Sequence, residues 1–468
     1  MKGNILLVCF CVTFFTAFAQ KTKTENFPLD EKQWTFAPEK VQFIQEKGVP
    51  AMKISPDAGK VVAKGLDFSD GTIEFDVKPN NLTFYFHYQD ADENECFYLR
   101  MNRAGNPTAL EGIQYAPLID GVLLWDLYPQ YQSNATFTKG DWNHIKLVIS
   151  GAQMRIYVND TAKHALEVEH LEGNPTSGTI AFEGDMVVSN LVVTSGKTEN
   201  LSSSPGMDPT SNDPRYIRRW AVTDPIPIPK KVDFTYDLLP TPETSWRVLE
   251  AERRGLMNLT RSFGKNKARS IIWLKVNIKS AEKQKKKMNL GFLDDVWVFL
   301  NGQILYLDKN LQGRLMEKQP GGRCSVENTS FILPLKKGDN ELLIGLANDP
   351  YWGRGMIARM GDLDGLEIKP DTTFDIRLIK LPEAVVKTYA GKYILPNGAK
   401  VQVAAEGKFL HLSGKSFIST LLYPEADNKF FSRDIDIEIE FAKNSEGKVT
   451  HFIVYSNGKQ IIEGKRME

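Results

Sequence analysis

Cysteine is scarce: the 468-residue chain has four. Two of them, Cys9 and Cys11, fall in an apolar stretch at the N-terminus. The other two, Cys96 and Cys324, lie far apart, so a disulfide-stapled small domain is excluded. Net charge is missing as well, since 58 Lys+Arg offset 58 Asp+Glu. No global basic field exists to hold nucleic acid or an anionic membrane. Beyond the N-terminus no apolar run approaches the ~20 residues a spanning helix needs, so no membrane span is expected. The six histidines show no HxH or HExxH spacing, which removes the usual zinc-hydrolase pattern. Gly-x-Ser-x-Gly elbows, P-loops and dinucleotide fingerprints are also missing. Ser280 and Lys283 have the S-x-x-K spacing, but in a Lys-rich stretch without the partner motifs of penicillin-recognising enzymes.

Residues 1–19 read as a secretory signal. Lys2 supplies the charge, Ile5 to Phe18 the apolar segment, and Ala17-Phe18-Ala19 the small-x-small site before Gln20. Export without disulfides suits large cores in a bacterial periplasm or cell surface. The remaining length exceeds one core, because single cores stop growing near ~250–300 residues. The basic run Lys283, Lys285, Lys286 and Lys287 reads as a solvated hairpin loop between strands.

Period-two alternation dominates, and the expected fold class is all-β. Within 26–195, GTIEFDVKP sets Ile73, Phe75 and Val77 against Thr72, Glu74 and Asp76. TFYFHY follows, then two strands around Ser150-Gly151, then GTIAFEG and MVVSNLVVT. Residues 196–245 read as a linker rich in Ser, Pro, Asn and Gly, followed by a proline-dense extended lead-in. Residues 246–370 carry strand pairs with Asn301-Gly302 as a type I′ hairpin turn. Residues 383–468 are a third, smaller unit of meanders, with turns such as Asn397-Gly398 and Glu406-Gly407.

Three resemblances follow from these residues. The GTIEFDV strand, the FYLR–QYAP–WDLY block over 97–128, DWNHIKLVISG…IYVND and GTIAFEGDMVVSNLVV resemble the concanavalin A-like lectin/glucanase superfamily, in particular its laminin-G-like members. That implies a two-sheet jelly roll whose concave face holds saccharide, sometimes with a structural calcium at the rim. GLMNLTRSFG, DDVWVFLNG, LKKGDNELLIGLAN and WGRGMIARM are similar to the galactose-binding-like jelly roll. FFSRDIDIEIEF…GKVTHFIVYSNGK…GKR is similar to the small C-terminal β-barrel domain of beta-lactamase-related serine hydrolases, here without the hydrolase body.

Candidate residues follow. On the first domain Tyr85, His87, Tyr98, Arg100, Gln114, Tyr115, Trp125 and Tyr128 combine rings for sugar stacking with hydrogen-bonding groups that fix orientation. The alternative is that the rings fill the core and Arg100 pairs with Glu74 or Asp76. Those two carboxylates are also the weak catalytic candidates. Laminarinase-type relatives carry a third carboxylate where this chain has Lys78. Asp295, Trp352 and Arg354 form a second candidate cluster, with interdomain packing as the alternative. Asp90, Asp92, Glu93 and Glu95 offer oxygen ligands of the kind calcium takes, without EF-hand spacing. No other cofactor is expected, and oligomeric state stays open. Together these imply an exported carbohydrate-associated protein that binds a polysaccharide or oligosaccharide. The alternatives are a glycoside hydrolase and a structural envelope protein that binds other proteins.

Overall fold

The computed structural model describes residues 23–467, apart from 242, 266, 373–378, 416 and 457. The N-terminal signal expected at 1–19 lies outside the described residues. The chain divides into two compact units. The first takes in 23–89, 94–115 and 132–206; the second takes in 90–93, 116–131 and everything from Met207 onward. Among the described residues no helix is long and apolar enough to cross a membrane.

The first unit is built on two long strands, Gly71–Tyr88 and Thr179–Ser195, of 18 and 17 residues. They pair antiparallel over nearly their whole length. A straight strand would set Phe75 and Phe84 roughly 30 Å apart at ~3.3 Å per residue. Their rings lie 5.0 Å apart, so the strand folds back on itself. The bend falls at Asn80-Asn81, where two residues of one strand face one of the other. That extra residue switches the inward parity from Ile73, Phe75 and Val77 to Leu82, Phe84 and Phe86, all fully buried. One continuous sheet is thereby folded into two leaves. Asn143–Ser150 and Gln153–Val158 extend one leaf from the Gly71–Val77 half. Asn94–Leu99 and Ile113–Ile119 extend the other from the Leu82–Phe86 half. Phe75, Phe84, Phe182 and Trp34 close the core in edge-on and tilted contacts of 5.0–5.8 Å. The polar stretch after Ser195 begins by packing on this unit: Leu201 is buried against Val148 and Tyr157.

In the second unit an eight-stranded sheet faces a four-stranded one. Ser270–Ser280, Gly338–Asn348 and Asp294–Leu300 run through the larger sheet. Gln284–Phe292 and Gly355–Met360 run through the smaller. Trp220, Leu274, Phe292 and Val298 fill the space between. Asn301 and Gly302 both take positive φ, 53° and 79°, as a type I′ turn requires. The proline-dense lead-in covers the outer face of the larger sheet, where Phe234 stacks on Trp297 and Trp273 Nε1 donates to Leu238 O at 2.7 Å. Strands from Gly391–Ile394 to Lys459–Arg466 close into an eight-stranded barrel, and the short helix Glu383–Tyr389 sends Tyr389 into its core. The architecture is all-β, two sandwiches and a closed barrel.

The lysine run departs from expectation. Lys285, Lys286 and Lys287 are not in a loop but on the Gln284–Phe292 strand, paired with Pro334, Leu333 and Ile332. Period two explains it: Lys286 points inward at the sheet margin and is buried against the Asp362 carboxylate, while its neighbours face out. Cys96 and Cys324 are both buried, and neither is in a disulfide.

Candidate functional site

The outward face of the Leu82–Phe86 leaf gathers one polar row. Residues directly opposite one another in antiparallel strands share a face. Gln132 faces Gln114, Tyr98 faces Thr83, and Thr83 faces Glu183. Tyr98 Oη donates to Gln114 Oε1 at 3.0 Å and joins the row across its one remaining strand boundary. Arg100 locks the centre: Nη1 donates to Glu111 O at 2.9 Å, Nη2 donates to Gln114 Oε1, and the guanidinium lies 5.1 Å from the Tyr98 ring centre. One step along, Tyr85 Oη donates to Glu183 Oε2 at 2.6 Å, and the Lys60 ammonium sits 4.7 Å from its ring and 5.4 Å from that of Tyr88. Burial first, then the neighbouring Cys96 and Glu183, hold the Tyr85 phenol far above its usual range. Gln132 Oε1 has no hydrogen-bond partner among the described residues. Thr83, Tyr98, Arg100 and Glu183 are half-buried, so two hydroxyls, a guanidinium and a carboxylate are fixed in place yet reachable, whereas Gln114 and the Gln132 Oε1 atom lie buried beneath them.

His87 and Tyr115 belong elsewhere in the same unit. Alternation would put His87 beside Tyr85, but a register shift between Tyr85 and Tyr88 and a positive φ of 46° turn its ring inward. Its two nitrogens contact only acceptors, Glu95 Oε2 at 2.8 Å and Ser69 O at 2.9 Å. With Glu95 ionised, both nitrogens donate and the ring is an imidazolium. Burial works against that charge, but the hydrogen bond and charge of Glu95 prevail, and the His87 pKa lies above its usual value. Tyr115 Oη donates to Glu95 Oε1 and accepts from Glu172 N at 2.7 Å. This is a closed, buried polar network.

Glu74 and Asp76 lie on the other leaf. Asp76 Oδ1 contacts His144 Nδ1 at 2.8 Å, and its Oδ2 accepts from Asn190 at 2.6 Å. Glu74 approaches the same imidazole at 3.6 Å. Arg100 pairs with neither. Asp90 caps its own turn by accepting from Asp92 N and Glu93 N at 2.8 and 2.9 Å. Glu95 is committed to His87. Among the described residues no group of three or more His, Cys, Asp or Glu is placed to hold a metal ion, so the acidic loop does not fit the calcium that the resemblance implies.

Trp125 and Tyr128 fall in the second unit. Tyr128 is buried; its Oη donates to Glu252 Oε2 at 2.8 Å and accepts from Asn258 Nδ2 at 3.0 Å. Trp125 meets Trp352 edge-to-face at 5.8 Å, and the Arg323 guanidinium lies 5.0 Å from the Trp125 ring centre. Asp295 is buried between Arg269 and Lys309. Arg354 is buried too; burial lowers its pKa to about 10, and its backbone N–H donates to Thr260 Oγ1 at 2.8 Å. Of the second cluster, Trp352 lines a cavity of about 310 Å³ shared with Trp125, Asp126, Asp294 and Asp349.

Residues 28–189 match the family described as 3-keto-alpha-glucoside-1,2-lyase-like domain. Residues 377–466 match a domain of unknown function (DUF3471). Penicillin-binding protein 4* of Bacillus subtilis (strain 168) is 29% identical over 91 residues, 19% of this chain and 20% of that protein. The chain thus spans about one fifth of the length of that curated relative. Among solved structures, the carbohydrate binding module CBM66 from Bacillus subtilis aligns at 12% identity over 35% of this chain and 92% of its own, with a TM-score of 0.24. Galectin LEC-6 of Caenorhabditis elegans aligns at 13% identity over 36% and 99%, with a TM-score of 0.22.

Sequence reasoning did not single out Thr83, Gln132, Lys60 or Asp126. For Asp126 a signal existed, since it follows Trp125 in the WDLY segment. For Gln132 none did, because only strand register brings it to Gln114.

Proposed function

We propose that this chain is an exported carbohydrate-associated protein whose first unit binds a glycan on the outward face that carries Tyr98, Arg100, Gln114 and Glu183. One observation carries the reading: a polar row running across five strands and braced by Arg100, with the Tyr98, Arg100 and Glu183 side chains half-buried on it. Sugar hydroxyls come in fixed patterns, and a row of immobilised donors and acceptors matches such a pattern without paying to order the side chains. The match of residues 28–189 to a domain family named for a glucoside supports the same ligand class.

That family name favours a second reading, an eliminating enzyme. A ketone at C3 of a glucoside acidifies the C2 proton. A base removes that proton, its electron pair forms the C1=C2 double bond, and the C1–O bond breaks with its electrons leaving on the aglycone oxygen. Glu183, half-buried and hydrogen-bonded by Tyr85, is the carboxylate on this face placed to act as the base.

One experiment addresses both. The mature protein is screened against a glycan array and against methyl 3-keto-α-D-glucopyranoside, with Arg100→Ala and Glu183→Gln variants of matched thermal stability. Binding that weakens at least tenfold in Arg100→Ala supports the first reading. Enone absorbance that grows with wild type and vanishes in Glu183→Gln supports the second. Binding unchanged in both variants places the ligand elsewhere.

A further inference from the structure

The cavity in the second unit is independent of that face. It holds about 310 Å³, at the small end of the ~300–1,000 Å³ typical of ligand pockets. Its walls are two tryptophans meeting at 72°. Arg323 lies against the Trp125 ring, whereas Trp352 remains 37% exposed, with ring surface available to a ligand. At the base sits Asp126, 2% exposed. Its Oδ2 accepts from Gly353 N at 3.0 Å, and its Oδ1 has no hydrogen-bond partner among the described residues. A buried carboxyl oxygen left without a hydrogen bond is destabilising, and a ligand hydroxyl would satisfy it. Gly353 makes the arrangement possible: a Cβ there would come within 2.6 Å of that same oxygen. Asp294, from the neighbouring strand, lines the cavity beside it and accepts from Asp349 N at 2.9 Å.

We infer that this cavity is a second saccharide site, taking one uncharged pyranose ring against Trp352 with a hydroxyl donated to Asp126 Oδ1. Carbohydrate C–H faces pack on indole, and a carboxyl oxygen accepts from the ring's hydroxyls. An uncharged ligand fits better than a cation. Burial pushes Asp126 up to about 7 and Asp294 up to about 6, which lessens the negative charge the cavity offers a cation. Arg314 lines the cavity, and Arg323 lies against its Trp125 wall. No set of metal ligands is present among the described residues.

The test uses the full mature chain carrying Arg100→Ala, which removes the first proposed site, so failure of that reading leaves this one standing. Methyl β-D-glucopyranoside, methyl β-D-galactopyranoside and methyl α-D-mannopyranoside are titrated against tryptophan fluorescence and by calorimetry, with glucosamine as the charged probe. At least one neutral glycoside is expected to saturate a single site. Trp352→Ala should weaken it at least tenfold, Trp352→Phe less, and Asp126→Asn several-fold. Absence of saturable binding by all three glycosides, equal binding in Trp352→Ala, or binding of glucosamine alone would each overturn the inference.

Discussion

Asp126 shows how one buried carboxyl sets a pH dependence. Removal from water raises its pKa from 3.8 to about 7. Between those values the folded chain holds a proton that the unfolded chain has released. Stability from this group is therefore greatest below about pH 4, declines by at most ~1.4 kcal/mol per pH unit, and is gone above about pH 7. Asp294, raised by burial to about 6, acts in the same direction. Cys324, beside Asp126, is raised by burial beyond this range and stays neutral throughout. Asp126→Asn, which cannot ionise, should match wild type within about 1 kcal/mol at pH 4 and exceed it by several kcal/mol at pH 8. Denaturant midpoints at four pH values read this directly; a gap that narrows as pH rises would mean that Asp126 is already ionised. His87 acts in the same direction, in a higher pH window. Its pKa lies above its usual value when folded, so its pairing with Glu95 contributes fully below about pH 6.5 and is lost as pH climbs through the folded value.

Among elements, the fold of the first unit rests on two long strands bending together. Gly184, next to the bend, has a φ of +136°, and a Cβ there would meet Asn81 O at 2.4 Å. Both the backbone conformation and the contact are backbone matters that no side-chain rotation relieves. Gly184→Ala should cost about 2–3 kcal/mol. Gly447→Ala, at φ +79° in a turn with nothing within 4 Å, should cost about 1 kcal/mol. Equal thermal shifts for the two would refute the clash. The strands themselves were legible in the sequence because alternation repeats over many residues, and Asn301-Gly302 announced its turn. The bend was not. An extra residue in one strand leaves no compositional trace beyond the polar Asn80-Asn81 pair, yet it reverses the parity of everything after it. A second shift after Tyr85 sent His87 into the core, whereas Tyr85, Tyr98, Arg100 and Gln114 come together on one leaf. The lysine run was misread for a related reason: charge suggested solvent, but strand period and the Asp362 partner decide where Lys286 goes.

At the level of the whole molecule, chain order and compact units do not coincide. The 97–128 block reads as one segment, but Ala116–Tyr131 belongs to the second unit. Tyr128 finds Glu252 and Asn258 more than a hundred positions away, a pairing that no local pattern encodes. Leu127 is buried beside Gly353 and Gly355, and Asp126 accepts from Gly353 N. A cut after Gly206 therefore does not free an intact second unit. A fragment of residues 207–467 loses the burial of Leu127 and Tyr128, about 1.5–3 kcal/mol for each. It also leaves the Glu252 carboxylate and Asn258 amide short of one hydrogen-bond partner. The sandwich of that fragment should melt about 10 °C or more below its counterpart in the full chain. The barrel, with its own core of Tyr389, Tyr393, Phe430 and Phe452, should hardly change. Calorimetry resolves the two transitions. If the fragment's sandwich melts where the full chain's does, Ala116–Tyr131 contributes no stability to the second unit, and Asp126 and Trp125 can be varied without regard to its fold.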